Sequence, residues 1–151
     1  MEDRPIVPPL MAMACTFYCG ISGINSYNTS NRLQKELKSD LNTIDSLLEG
    51  ELDQEKVNQI FDIYTNVPNS DAQRWKEKMS QFHGAYNPNN NKLIALTIAN
   101  SKKDFVEFYE QEINQHFYTS VIATLGVIVL AYAFKKLITP LEPQSHPKFS
   151  I

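Results

Sequence analysis

The sequence predicts an all-α membrane protein with one C-terminal transmembrane helix, room for a second near the N-terminus, and a small helical extramembrane region between them. Three observations lead there. The 18 residues 117–134 carry no charge, and at about 1.5 Å per residue a helix of that length covers about 27 Å, close to the roughly 30 Å hydrocarbon core of a bilayer. Elsewhere, large apolar side chains recur at spacings of three and four, the helical period, rather than in strict alternation. The chain as a whole is polar, with a negative mean hydropathy, so it offers few other apolar segments to surround such a helix in a soluble core.

The C-terminal element, TSVIATLGVIVLAYAFKKLI, spans about 117–138 and is followed by a polar tail, 139–151. Lys135 and Lys136 can snorkel to lipid headgroups, and Phe117, Tyr118 and Tyr132 place aromatic rings near the two boundaries. Thr119, Ala123, Gly126 and Ala133 make a small-residue stripe suited to close approach by another helix.

At the other end, residues 1–31 form an apolar segment that is uncharged from Pro5 to Asn31. Pro8 and Pro9 suit a helix start. Ala12, Thr16 and Gly20 are spaced by four, with Gly23 one turn on, a second face open to a neighbouring helix. The apolar length from Leu10 to Ile24 falls between a buried helix and a membrane span, so a spanning, an interfacial and a buried placement all fit. The opening MEDRP, with two acids and one Arg, matches neither a secretory n-region nor an Arg-rich transit peptide. Cys15 and Cys19 form a lone C-x3-C, expected as two buried apolar thiols because free Cys buries readily.

Between these ends, 32–101 reads as a helical extramembrane region. Leu33, Leu37, Leu41, Ile44 and Leu48 line one face of a helix closed by Gly50. Asp53 is placed to cap a second helix carrying Val57, Ile60, Phe61 and Tyr64, and Ser70 or Asp71 a third through Trp75, Met79 and Phe82. HGAYNPNNN, 83–91, reads as an Asn-rich loop, and KLIALTIA, 92–99, as helix for want of a strand partner. Ser101 and Asp104 stand at capping-box spacing. From there Phe105, Tyr109, Ile113 and Phe117 step by four into the membrane run, predicting one long helix over 102–138.

Nothing in the chain reads as catalytic machinery. His83, His116 and His146 are scattered, Glu107, Glu110 and Glu112 fall around a solvated helix face, and no phosphate-cradling or nucleophile motif occurs. No metal or cofactor is expected. Asn28-Thr-Ser is a formal glycosylation sequon, relevant only to a luminal end. The net charge of -3, with ten basic against fourteen acidic side chains between Asn31 and His116, argues against nucleic acid as a partner. Lys135 and Lys136 favour a C-terminus on the positive side for one span. With two spans Arg4 joins them, Arg32, Lys35 and Lys38 oppose them, and the charge balance favours neither orientation.

The expected partners are therefore the lipid bilayer and other subunits of a membrane protein complex. In layout, meaning small size, a start expected to be uncleaved, one late helix and a short polar tail, the chain resembles the supernumerary subunits of mitochondrial respiratory-chain and ATP synthase complexes. That resemblance implies a non-catalytic accessory subunit of the mitochondrial inner membrane, acting in assembly and stability. A tail-anchored adaptor that recruits a soluble partner fits the same layout, unless the N-terminal segment also spans.

Overall fold

The computed structural model describes residues 7–69 and 72–138, which form four α-helices and one 3-10 turn. The helices are α1 (Val7–Leu48), α2 (Gln54–Thr65), α3 (Gln73–Gly84) and α4 (Asn91–Ile138), with the turn Pro88–Asn90 leading into α4. Among the described residues there is no strand, and 92–99 is helical. The chain divides into two compact units, Asn25–Thr119 and a second made from the segments on either side of it; α1 and α4 contribute to both.

In the unit Asn25–Thr119 the periodic residues face a common core. Leu33 and Ile44 of α1, Val57, Ile60, Phe61 and Tyr64 of α2, Trp75 and Met79 of α3, and Ile94, Ile98, Phe105, Tyr109 and Ile113 of α4 are all buried. Leu37, Leu41 and Leu48 are partly buried against them, so the leucine face read from the sequence is the packed face. Aromatic rings form its centre: Tyr64 meets Phe105 at 5.1 Å and Trp75 at 5.8 Å, and Phe105 meets Tyr109 at 5.1 Å. These tilted and edge-on pairs align ring edges with ring faces, the favourable quadrupole arrangement.

The polar atoms of those rings are matched. Tyr64 Oη donates to the Ile98 carbonyl at 2.7 Å, and Trp75 Nε1 donates to the Tyr64 carbonyl at 2.8 Å. Tyr109 Oη donates to an Asp40 carboxylate oxygen at 2.9 Å. Burial, with the Asp40 bond and charge behind it, raises the Tyr109 pKa above the ordinary phenol range; burial followed by the charge of Asp45 does the same to Tyr64. Farther along, Ser30 Oγ donates to the Ile113 carbonyl at 3.3 Å and Asn69 Nδ2 to Gln111 Oε1 at 3.0 Å.

Local chemistry sets the end of α1 and the start of α2. Gly50, the only residue with positive φ among those described, sits at φ 84° after α1, where the absence of a Cβ removes the strain of that conformation. Asp53 Oδ1 accepts from Lys56 N at 2.8 Å and so caps α2, as its position predicts. Ser70 and Asp71, the expected caps of α3, lie outside the described residues, as do the tail 139–151 with His146, and residues 1–6.

Several expectations are corrected. The segment 83–91 is not an open loop. His83 belongs to α3, stacks on Phe61 at 5.6 Å and bonds Asn58 Oδ1 through Nε2 at 2.7 Å. Asn87 and Asn90 then close a capping box around the 3-10 turn, Asn90 Nδ2 reaches the Ala85 carbonyl, and Asn91 Nδ2 reaches that of Leu52. With the turn so tied, α4 begins at Asn91 rather than near Lys102. Ser101 therefore lies buried inside a helix and caps nothing. Nor does a break separate 1–31 from 32–48: α1 is continuous, and Thr29 Oγ1 bonds back to the Asn25 carbonyl at 2.9 Å within it.

Candidate helix-packing and membrane site

The second unit pairs 7–24 of α1 with 120–138 of α4. Glycine lets them approach. A methyl group placed on Gly23 would meet the Ala123 Cβ at 3.2 Å and the Ser120 carbonyl oxygen at 3.6 Å. One on Gly126 would stand 3.6 Å from Cys19 Sγ, and one on Gly20 3.9 Å from Val127. Rising numbers on one helix meet falling numbers on the other, so the pair is antiparallel, and the register sets Thr16 level with Leu130 and Ala12 with Phe134.

Exposure follows that register. Ala12, Thr16, Cys19 and Gly20 are half-buried and Gly23 buried; on α4, Ala123, Gly126, Val127, Leu130 and Phe134 are half-buried at helical spacing. The structure thus brings together Gly20, Gly23, Ala123 and Gly126 from the two small-residue faces, with Ala12 and Thr16 farther along the same side. Thr119 and Ala133 are exposed, Thr119 closing its hydroxyl on the Gln115 carbonyl at 2.8 Å. Sequence reasoning missed Cys19, Val127 and Leu130 as packing residues, although the i, i+3, i+4 series through Ala123 and Gly126 contains the latter two. Cys15 is exposed and Cys19 half-buried, both as free thiols, so the expectation of two buried thiols is corrected: neither is fully buried, and Cys19 is the one that sits over a glycine.

The outward surface of the pair is apolar. Leu10, Met11, Met13, Phe17, Ile21 and Ile24 on α1 are exposed, as are Val121, Ile122, Leu125, Ile128 and Val129 on α4. Of the boundary residues, Phe117, Tyr118, Tyr132, Lys135 and Lys136 are all exposed, with the rings of Phe117 and Tyr118 edge-to-face at 6.1 Å. By length and composition α4 is able to cross a membrane, the one such helix among the described residues.

Among the described residues, one open depression is lined by Lys102, Lys103, Val106, Glu107 and Glu110, and another by Asn25, Asn28, Thr29 and Arg32. Among the described residues no three His, Cys, Asp or Glu side chains gather as metal ligands. Glu107 and Glu110 are exposed and Glu112 half-buried, His116 is half-buried, and Asn28 of the sequon is an exposed residue within α1. No family model, curated protein or solved structure matches the chain.

Proposed function

We propose that the chain is a non-catalytic accessory subunit of a multi-subunit membrane complex, anchored by the second half of α4 and acting in the assembly and stability of that complex. The observation that carries this reading is the exposed surface of α4 beyond Thr119, where Val121, Ile122, Leu125, Ile128 and Val129 point outward. Covering a fully exposed side chain of this size is worth about 1.5–3 kcal/mol, and these five are 41–69 % exposed, so together they forgo about 4–9 kcal/mol in water. That is comparable to the net stability of a typical domain, about 5–15 kcal/mol, and favours a lipid or protein cover. The non-catalytic part of the reading is supported by the hydroxyls and indole of Tyr64, Tyr109, Ser30 and Trp75, which are all committed to bonds that hold the core.

The membrane we assign is the mitochondrial inner membrane, on the resemblance of layout alone. A second reading, the membrane-anchored adaptor, is favoured by one observation: Asn25–Thr119 has a core of its own with which to present a binding face. Purification through a tag in mild detergent, followed by a native gel and mass spectrometry, separates the two. A large stoichiometric assembly containing redox or ATP synthase subunits is the expected result. A small species, alone or with one soluble protein, would overturn the accessory-subunit reading in favour of the adaptor.

A further inference from the structure

We infer that residues 7–24 of α1 form a second membrane span, packed antiparallel on α4, so that the chain enters and leaves the bilayer from the same side. This rests on the reading of α4 as a span; by length and composition α4 alone among the described helices meets that test, and the case for 7–24 is carried instead by its lack of charge, its exposure and its packing. The segment is uncharged from Pro5 to Asn31, bracketed by Arg4 and Arg32. From Val7 to Ile24 the helix rises about 27 Å, near the hydrocarbon thickness.

Exposure separates this placement from the alternatives. An interfacial helix needs one strongly polar face turned to water. From Leu10 to Ile24 every exposed position is apolar or aromatic: Phe17, Tyr18, Ile21 and Ile24 lie outward, and the polar Thr16 and Ser22 are half-buried. Burial within a protein core fails for the same reason, because Phe17 is 62 % exposed and Ile24 63 %. The side that is not exposed is the glycine side, closed on α4 at Gly23 and Ala123. Without a hydrophobic drive between helices in lipid, such backbone approach is how spans associate.

The hydroxyls are prepared for the same medium. Thr16 Oγ1 donates to the Ala12 carbonyl at 2.7 Å, and Thr124 Oγ1 to that of Ser120 at 2.9 Å. Donors satisfied within their own helix carry no open hydrogen-bonding demand into hydrocarbon. The occupant of the outward face of 7–24 is therefore lipid, continuous with the lipid around α4. A second span removes the tail-anchored form of the adaptor reading.

The test uses the full chain in sealed membrane vesicles of one orientation. Epitope tags at both ends are probed by protease, and Ser39→Cys, in a chain with Cys15→Ala and Cys19→Ala, by a membrane-impermeant maleimide. Both tags on one side with position 39 on the other is the expected result. An N-terminal tag on the side of position 39, with the C-terminal tag opposite, overturns the second span and leaves that of α4 intact. All three on one side, or loss of the chain from vesicles in alkaline carbonate, overturns both spans. In the wild-type chain, Cys15 should escape the maleimide until SDS is added; labelling of Cys15 in intact folded vesicles equal to that of Ser39→Cys counts against the inference independently.

Discussion

Phe105 lies at the centre of the aromatic core with no exposed surface, 5.1 Å from both Tyr64 and Tyr109, and its removal gives a worked test of that core. Phe105→Ala deletes a buried ring and leaves a cavity, a change that costs about 3–5 kcal/mol, while one tilted and one edge-oriented aromatic pair of about 0.5–1.5 kcal/mol each disappear within that total. For the roughly 95 residues of Asn25–Thr119, an unfolding entropy of about 2.1 cal/mol/K per residue gives a shift near 5 °C for each kcal/mol. The midpoint should therefore fall by about 15–25 °C. Trp75, the single tryptophan of the chain, is 5 % exposed beside Tyr64 and Phe108, so its emission reports the melt of this unit in the full chain held in mild detergent. Tyr118→Ala, at a ring 62 % exposed, serves as the matched control and should move the midpoint little. A Phe105→Ala midpoint within about 3 °C of wild type would refute the packing described, since no buried ring can be lost so cheaply.

Four further outcomes follow from named contacts. Asp53→Ala removes the acceptor for Lys56 N and should lower stability by about 1 kcal/mol in the same fluorescence melt, with Asp53→Ser recovering most of it. Gly50→Ala forces a Cβ into a φ of 84° and should cost about 1–2 kcal/mol, read from denaturant midpoints. Gly126→Cys would place its Cβ 4.0 Å from that of Cys19, inside the usual disulfide range of about 3.5–4.5 Å, so mild oxidation should produce an internal cross-link that disappears with Cys19→Ala and persists with Cys15→Ala. Finally, the folded state holds the protons of Tyr64 and Tyr109 above their ordinary value of about 10. The stability they contribute is complete below that pH and lost as pH rises above it toward their folded values, so melts should weaken in strong alkali, and less steeply in a Tyr64→Phe, Tyr109→Phe double variant.

Spacing within one helix is the part of the fold that is legible in the sequence. The leucine series on α1 and the stripe Ile113, Tyr109 and Phe105 on α4 can be read because three- and four-residue steps place them on one side of a cylinder. The cap at Asp53 is legible for a similar reason, since its partner is three residues away. Continuity of α1 through Asn25–Asn31 is not, because Asn, Ser and Thr favour caps and turns when considered singly. In the folded chain Ser30 is instead satisfied by the Ile113 carbonyl, 83 residues distant, a tertiary bond that no local pattern announces. Ser101 resembles a cap for the mirror-image reason: its neighbours permit a helix start, but the turn at Asn87–Asn91 has already supplied one. On the apolar pair, spacing identifies Gly20, Gly23, Ala123 and Gly126, but which helix each meets depends on an antiparallel register set by chain segments about a hundred residues apart.

The asparagines from Asn87 to Asn91 have a geometric consequence for α4. The Asn87 side chain accepts from Asn89 N, that of Asn90 accepts from Asn87 N and donates to the Ala85 carbonyl, and that of Asn91 donates to the Leu52 carbonyl, so the run is pinned at both ends. A helix advances about 100° per residue. Deleting one asparagine would therefore rotate the buried row Ile94, Ile98, Phe105 and Tyr109 more than a quarter turn away from α2 and put Lys102 in the place of Ser101 and Glu110 in that of Tyr109. What looks by composition like an interchangeable polar run acts as the angular zero of the helix that follows, so its length decides which face of α4 meets α2.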